Sequence, residues 1–102
     1  MGPGRAELIE GIARLGSISA AARDMGMSYR RAWLLVEAIN RGFREPVVVS
    51  AIGGRRGGGA EVTPFGLNMV ARFRRMEAAA SSAIGRELRD FEALVRPEAR
   101  RK

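Results

Sequence analysis

The chain has 102 residues, of which 46% are hydrophobic and 28% charged, so it is long enough and apolar enough to fold around a single core. It contains no cysteine and no histidine, which excludes disulfides, thiolate chemistry, imidazole acid–base catalysis and the common zinc sites. The net charge of +7 is concentrated between residues 14 and 75, which hold 11 arginines and 4 acidic residues, whereas the rest holds 7 basic and 7 acidic residues. Such a concentration favours a nucleic-acid partner, although charge alone is also compatible with a solubilising surface.

The first predicted element is a helix over residues 5–15, which ends at Gly16. Its apolar residues recur at the spacing of one helix face: Leu8, Ile9, Ile12 and Leu15. Charged residues interrupt this segment, so it does not resemble a signal peptide, and no segment approaches the roughly 20 apolar residues of a membrane span. We therefore expect a soluble, unanchored, cytoplasmic protein.

The next two segments predict a pair of helices joined by a short turn. Ser17 and Ser28 stand at the N-cap positions of the two helices, and Gly26 lies in the turn between them. Both segments place their apolar residues on one face: Ile18, Ala21, Ala22 and Met25 in the second helix, and Ala32, Val36, Ile39 and Phe43 in the third. Two helices joined by a turn of about three or four residues containing glycine form a helix-turn-helix, which presents its second helix to the DNA major groove.

A β-hairpin is predicted after Pro46, which ends the third helix. The β-branched run over residues 47–52 predicts one strand, residues 60–63 predict a second, and the tip between them is rich in glycine and contains Arg55 and Arg56. The tip is not a nucleotide-phosphate loop, because no Gly-Lys-Ser/Thr follows it and a strand comes next.

A fourth helix is predicted over residues 64–95, because Thr63 followed by Pro64 is a strong helix start. At 1.5 Å per residue it would be about 48 Å long, which exceeds the size of the domain. Its apolar residues form a stripe that needs a partner: Met69, Phe73, Met76, Ala80, Ile84, Leu88, Phe91 and Val95. We expect a DNA-binding unit over residues 1–63, a homodimerisation helix over residues 64–95 that packs on the same domain, and a basic flexible tail over residues 96–102.

Four motifs in this order resemble the N-terminal DNA-binding domain of the ModE family of molybdate-responsive bacterial regulators. They are GSISAAA at 16–22, MSYRRAW at 27–33, GGRRGGG at 53–59 and VTPFG at 62–66. The LysR family shares a looser version of the pattern without Ser-Tyr-x-x-Ala-Trp. The resemblance implies a winged helix-turn-helix, mainly α with a small β-hairpin. ModE proteins continue into molybdate-binding domains, which are absent from this sequence. We therefore expect control to come from the amount of protein, from a partner chain or from a separate molybdate-sensing protein.

The predicted DNA-binding residues form three groups. The first turns of the third helix would contact base edges, where Arg can donate two hydrogen bonds to guanine. The residues predicted to do so are Ser28, Tyr29, Arg30, Arg31, Trp33 and Leu34. Ser17 and Ser19 would bind DNA phosphates, and Arg55 and Arg56 would lie along the DNA backbone or in its minor groove. The alternatives are that the arginines of the third helix contact only solvent or phosphate, that Trp33 packs under the β-hairpin (the wing), and that Ser17 only caps its helix.

These observations predict a homodimeric transcription regulator that binds an inverted-repeat operator in double-stranded DNA. We expect no enzyme activity, cofactor or metal, because the chain offers no clustered nucleophile, base or metal site. Two alternatives remain open. The chain could form mixed dimers with a full-length ModE paralogue, or it could be an architectural DNA-binding protein without sequence preference.

Overall fold

The computed structural model describes residues 1–51 and 59–96, and within these ranges it is a winged helix-turn-helix with a long C-terminal helix. This confirms the predicted fold class. The elements follow in the predicted order: α1 (Pro3–Leu15), α2 (Ile18–Asp24), α3 (Tyr29–Gly42), β1 (Val48–Ala51), β2 (Gly59–Val62) and α4 (Pro64–Glu92). The glycine tip with Arg55 and Arg56, and the tail from residue 97, lie outside the described residues.

The helix starts form as the sequence predicts. Ser17, Ser28 and Thr63 each accept a hydrogen bond at the side-chain oxygen from the backbone N–H three residues later, at 2.9, 3.1 and 2.9 Å. Gly16, after α1, and Gly26, in the turn after α2, have φ angles of 78° and 69°, a left-handed conformation that glycine adopts without a steric penalty. These glycines allow the sharp changes of direction on either side of α2.

The last helix ends earlier than predicted. Helix α4 ends at Glu92 instead of Val95. After it, the N–H groups of Leu94 and Val95 donate to carbonyls three residues back, of Phe91 and Glu92, at 3.0 and 3.1 Å. Bonds of this spacing tighten the chain into a 3₁₀-like turn, which is a common way to close a helix.

The core is built around α1 and consists largely of small and medium-sized apolar residues. Leu8, Ile9 and Ile12 of α1 are fully buried and lie beside Ala21 of α2. A Cβ added at Gly11 would lie 3.3 Å from the Ala21 Cβ, so the small residues let α1 and α2 approach closely. The remaining buried apolar residues come from all six elements and from the position before β1: Ala6, Ala22, Ala32, Val36, Ile39, Val47, Val48, Ala60, Val62 and Val70.

The hairpin is attached to the helices at two places. Its strands are antiparallel, with Val48 opposite Val62. The N–H of Ala60 donates to the Gly16 carbonyl at 3.0 Å, which ties β2 to the turn between α1 and α2. The other attachment is at Val47, which is completely buried immediately before β1. The wing is therefore held against both helices of the helix-turn-helix.

Val47 joins α3, the hairpin and α4 through hydrogen bonds. The side-chain oxygen of Asn40, near the end of α3, accepts from the N–H groups of Val47 and Val48 at 2.8 and 3.1 Å, and its amide donates to the Val48 carbonyl at 2.9 Å. The Val47 carbonyl accepts from the N–H of Thr63 at 2.9 Å. The Thr63 hydroxyl donates to the Pro46 carbonyl at 2.7 Å. We call these residues the Val47 junction.

Helix α4 packs on the domain with its first half only. Gly66 and Val70 are buried, and Phe73 packs against the core. From residue 78 to residue 92 every residue is exposed except the half-buried Gly85. A helix of 29 residues is about 43 Å long. Its second half therefore makes little contact with the rest of the described chain.

An ion-pair cluster connects α4 to α1. The Arg74 guanidinium donates to both carboxylate oxygens of Glu10, at 2.7 and 3.0 Å, and to Glu77 at 2.7 Å. The hydrogen bonds from Arg74, with its positive charge, hold the pKa of Glu10 below its ordinary value of 4.5, despite an opposing effect of burial. The hydrogen bonds to Glu10 and Glu77 raise the pKa of Arg74 still further above neutrality. This cluster helps to set the position of α4 on the domain.

Gly66 is required for the docking of α4, and its replacement tests this directly. A Cβ at residue 66 would lie 2.5 Å from the Val47 carbonyl oxygen and 2.9 Å from side-chain carbons of Val47 and Val62. We expect Gly66→Ala to lower the free energy of unfolding by about 1–3 kcal/mol, the usual cost of overpacking, as measured by urea denaturation.

The matched control is Gly85→Ala in the exposed half of the same helix. A Cβ there meets only the flexible end of Arg89, at 3.5 Å. Because alanine is the better helix former, this change should raise stability by about 0.5–1 kcal/mol. Equal effects of the two substitutions would show that Gly66 has no special role in docking.

The Glu10–Arg74 pair predicts a pH dependence of stability. A carboxylate whose pKa is lowered by folding stabilises the folded state above its unfolded pKa, and this contribution is lost as the pH falls through the folded pKa. Glu10→Gln should therefore be less stable than the wild type at neutral pH, and the difference should shrink below pH 4.5. The measurement is a series of urea titrations from neutral to acid pH.

The control for this series is Glu7→Gln, an exposed residue of α1 that forms no salt bridge within the described residues. Its difference from the wild type should stay small at every pH. A Glu10→Gln difference that is independent of pH would mean that the charge of Glu10 does not act through Arg74.

Candidate nucleic-acid interface

Helix α3 has one buried and one exposed face, as an amphipathic helix on a domain surface should. Ala32, Val36 and Ile39 are buried against the core. Helical geometry places Arg30 and Leu34 on the side opposite these residues. Both are exposed, and 48% of Leu34 is accessible to solvent. The exposed side of α3 is therefore available to enter a groove of DNA.

A cleft of about 330 Å³ lies between α3, the start of α2 and the hairpin. Four of the predicted DNA-binding residues line it: Ser17, Ser19, Tyr29 and Trp33. Val49 and Ser50 of β1 form the hairpin side of the same cleft. The structure thus brings the predicted residues of α2 and α3 together, although they come from two separate motifs.

A second, shallower depression of about 430 Å³ lies along the other side of α3. Its lining consists of the remaining predicted residues of this helix, Ser28, Arg30, Arg31 and Leu34, together with Leu35. The first two turns of α3 therefore expose an aromatic flank toward the hairpin and a basic flank away from it.

The charges of the first turn of α3 are not compensated within the described part of the chain. Arg30 and Arg31 are exposed, and neither forms a salt bridge within residues 1–51 and 59–96. Other arginines of the domain are paired: Arg14 with Asp24 at 3.1 Å, and Arg74 in the cluster with Glu10. The positive charge that the sequence places in the helix-turn-helix is thus available to an anionic ligand at the start of α3.

The two serines of α2 differ in their surroundings. Ser17 is half-buried and its hydroxyl oxygen caps the helix, whereas Ser19 is exposed. Capping by Ser17 is therefore observed, and contact of either serine with phosphate stays a prediction.

Within the described residues, the side chains of Trp33 and Tyr29 are exposed to solvent. Their accessible fractions are 43% and 55%. Residues 29 and 33 lie about one turn apart on α3, but the aromatic pair found in the described residues is a different one. Phe43 and Phe65 meet edge to face, with ring centroids 6.0 Å apart, and join the end of α3 to the start of α4.

Two contributions to this interface were missed by sequence reasoning. Asn40 aligns the hairpin with α3 through its side chain, and Val49 adds an exposed apolar residue to the cleft. Buried Val48 alternates with exposed Val49, which is the period-two pattern of a strand with one buried face. This pattern could have suggested the contribution of Val49 to the cleft. No local pattern identifies Asn40, because its partners lie seven and eight residues away.

The predicted dimerisation residues of α4 divide into two sets. Met69 is half-buried and Phe73 packs against the core of its own protomer. The other members are exposed: Met76, Ala80, Ile84, Leu88 and Phe91. The unpartnered part of the stripe therefore begins at Met76.

Two other classes of site are absent from the described residues. None of the helices there has both the length and the apolar character needed to cross a membrane. Residues 1–51 and 59–96 also contain no group of three or more carboxylates arranged to hold a metal ion.

Comparisons with known proteins find relatives that match most of this chain. It is 45% identical over 85 residues to the molybdenum-pterin-binding protein MopA of Rhodobacter capsulatus, covering 83% of this chain and 32% of MopA. It is 49% identical over 78 residues to MopB of the same organism, covering 76% and 29%. It is 40% identical over 68 residues to the DNA-binding transcriptional dual regulator ModE of Escherichia coli (strain K12), covering 67% and 26%. The chain thus spans about a third or less of the length of these relatives.

Among solved structures, ArgP from Mycobacterium tuberculosis, a LysR-type protein, has a similar fold. The TM-score is 0.57 over 85% of this chain and 30% of ArgP, and the sequences are 20% identical. At this identity the likeness supports the winged-helix fold alone. No family model matches the chain. The identities with the curated relatives confirm the resemblance carried by the four motifs, and the chain is a homologue of ModE and of the Mop proteins over the part of their length that it matches.

Proposed function

We propose that this chain is a transcription regulator that binds double-stranded DNA sequence-specifically, as a homodimer on an inverted-repeat operator. The observation that carries the proposal is the exposed first turn of α3, where Arg30 and Arg31 have no salt-bridge partner within the described residues. In a helix-turn-helix this turn meets base edges in the major groove, where Arg donates two hydrogen bonds to guanine. The name of the Escherichia coli relative, a DNA-binding transcriptional regulator, supports the same role.

The cleft beside α3 supports an accessory role for its neighbours. Ser17 and Ser19 lie on the α2 side of this cleft, and in the proposed complex they contact the phosphate backbone. Arg55 and Arg56, outside the described residues, add charge in the wing. Such contacts set the register of the protein on the duplex without reading its sequence.

The exposed half of α4 supports dimerisation. Exposed apolar side chains recur along it at helical spacing: Met76, Ile84, Leu88 and Phe91. A stripe of this kind is stabilised when it pairs with a second copy, and a two-fold axis then presents two α3 helices to half-sites related by inverted repetition. In this arrangement residues 1–63 bind DNA, residues 64–95 dimerise, and residues 96–102 form a basic tail.

The relatives also support a link to molybdenum. MopA is a molybdenum-pterin-binding protein, and the relative from Azotobacter vinelandii is a molybdenum transport protein, ModE. The chain matches about a third or less of these proteins. In the proposed function a molybdate-sensing protein supplies the signal, and the chain acts as a cytoplasmic regulator without enzyme activity.

A binding titration tests the proposal. Purified protein is titrated with an inverted-repeat duplex of the ModE type and with a scrambled duplex, each at two salt concentrations. Preferential binding of the inverted repeat, with two chains per duplex, supports a specific regulator. Equal, strongly salt-dependent binding of both duplexes would favour an architectural protein, which the net charge of +7 also allows. Preferential association with a full-length ModE on co-expression would favour mixed dimers.

Substitution of the first-turn arginines tests the base-reading role. Arg30→Gln or Arg31→Gln should weaken binding to the preferred duplex by about 1–3 kcal/mol and relax the preference at one base pair, because a bidentate contact to guanine is lost. The control is Arg86→Gln, which makes the same charge change in the exposed half of α4. An equal loss on the preferred and scrambled duplexes would contradict base reading and assign the arginine to phosphate contact.

The role of α4 is tested by introducing charge into its apolar stripe. Ile84→Glu combined with Leu88→Glu should shift the protein from dimer to monomer in sedimentation velocity and weaken operator binding, because two carboxylates would be buried in the interface. Ser82→Glu, on the other side of the same helix, should leave the dimer intact. A dimer that persists in the double variant would show that the dimer interface lies elsewhere on the protein.

A further inference from the structure

The DNA-binding unit exposes large apolar side chains where its basic residues also lie. In the described part of residues 1–63, six large hydrophobic residues are exposed, and four of them lie on α3 and the adjacent β1. They are Tyr29, Trp33, Leu34 and Val49. Scattered exposed apolar residues are ordinary, but a group of four around one helix indicates a surface that meets a ligand.

These four residues do not belong to the core. None of them is among the buried residues or among the partly buried residues that pack against the core. Tyr29, Trp33 and Val49 line the cleft toward the hairpin, and Leu34 lines the depression on the other flank. The stability of the fold therefore does not explain why these side chains are large and apolar.

The surrounding charge indicates which ligand they meet. Arg30 and Arg31 lie on the same two turns of α3, exposed and without a salt-bridge partner in the described residues. An apolar surface bordered by such cations suits a ligand that combines phosphate with exposed apolar groups. In the major groove the apolar group is the 5-methyl of thymine, which aliphatic and aromatic side chains contact.

We propose that Leu34 and Trp33 determine specificity by contacting thymine 5-methyl groups in each half-site. Leu34 lies one turn after Arg30 on the same face, about 6 Å farther along the helix axis at 1.5 Å per residue. This separation places the thymine within about two base pairs of the guanine that Arg30 contacts, since stacked base pairs are about 3.4 Å apart. The inference rests on the proposed sequence-specific binding, and it names the chemical group of DNA that the second turn of α3 contacts.

The test removes the methyl group without changing base pairing. The tightest-binding duplex is first selected from a randomised pool, and each thymine in turn is then replaced by deoxyuridine. For the wild type we expect a loss of affinity of about threefold to tenfold at one or two positions in each half-site, the effect of leaving one methyl group uncovered. Elsewhere the replacement should have little effect.

Protein variants then assign the methyl contact. In Leu34→Ala, Trp33→Ala or both, the thymine and deoxyuridine duplexes should bind equally at the sensitive positions. The matched control is Leu67→Ala, an exposed leucine of α4, which should retain the wild-type discrimination. Because all three residues are exposed, the variants should fold, and circular dichroism checks this.

The possible results separate this inference from the proposed function. A methyl effect that disappears in Leu34→Ala or Trp33→Ala supports the inference. A methyl effect that persists in both variants overturns it, because another element then reads the methyl groups. Specific binding without any methyl effect also overturns it while the proposed function stands. If the pool yields no preferred duplex, sequence-specific binding itself fails, and the inference fails with it.

Discussion

The arrangement of the candidate DNA-binding surface depends on the hydrogen bonds at Val47. A residue that is completely buried must have its backbone groups paired, because an unpaired buried N–H or carbonyl is costly. Here the N–H is paired by Asn40 from α3 and the carbonyl by the N–H of Thr63, one residue before α4. Helix α3, the hairpin and α4 are thereby joined at one point, although no regular secondary structure connects the three. The position of the hairpin relative to α3 is therefore set inside the protein, beneath the surface proposed to contact DNA.

The Val47 junction also limits the size of the residue at position 66, near the start of α4. Gly66 lies against the Val47 carbonyl so closely that a side chain would displace it, so α4 begins in contact with the backbone that carries the wing. Farther along, Arg74 holds α4 to α1 through Glu10. Helix α4 is thus attached to the hairpin at Gly66 and to the first helix at Arg74. In the proposed dimer, pairing of two α4 helices would fix the relative positions of the two surfaces proposed to contact DNA.

Much of the fold follows from local sequence signals. The caps at Ser17, Ser28 and Thr63 and the left-handed glycines at 16 and 26 depend on residues within a few positions of each other, and all were predictable. The apolar pattern of α3 also predicted its buried face, and Arg30 and Leu34 lie on the opposite, exposed side.

The interactions that sequence reasoning missed join residues that are distant in the chain. Glu10 and Arg74 are 64 positions apart, and their pairing depends on the packing of α4 against α1. Phe43 and Phe65 are separated in the sequence by the whole hairpin. The apolar stripe of α4 likewise reads as continuous, yet Phe73 belongs to the core because the domain ends only a few residues later. Helical periodicity identifies a face, but it does not say how far along the helix the rest of the domain extends.

The aromatic content of the chain has a practical consequence. Trp33 is the only tryptophan and Tyr29 the only tyrosine, and both lie exposed at the cleft beside α3. The intrinsic fluorescence of the protein therefore originates entirely from the surface proposed to meet DNA, and the emission of tryptophan depends on whether water or a stacked base surrounds the ring. Occupancy of that surface can be followed in the unlabelled protein, and unfolding of the distant half of α4 will leave the same signal nearly unchanged.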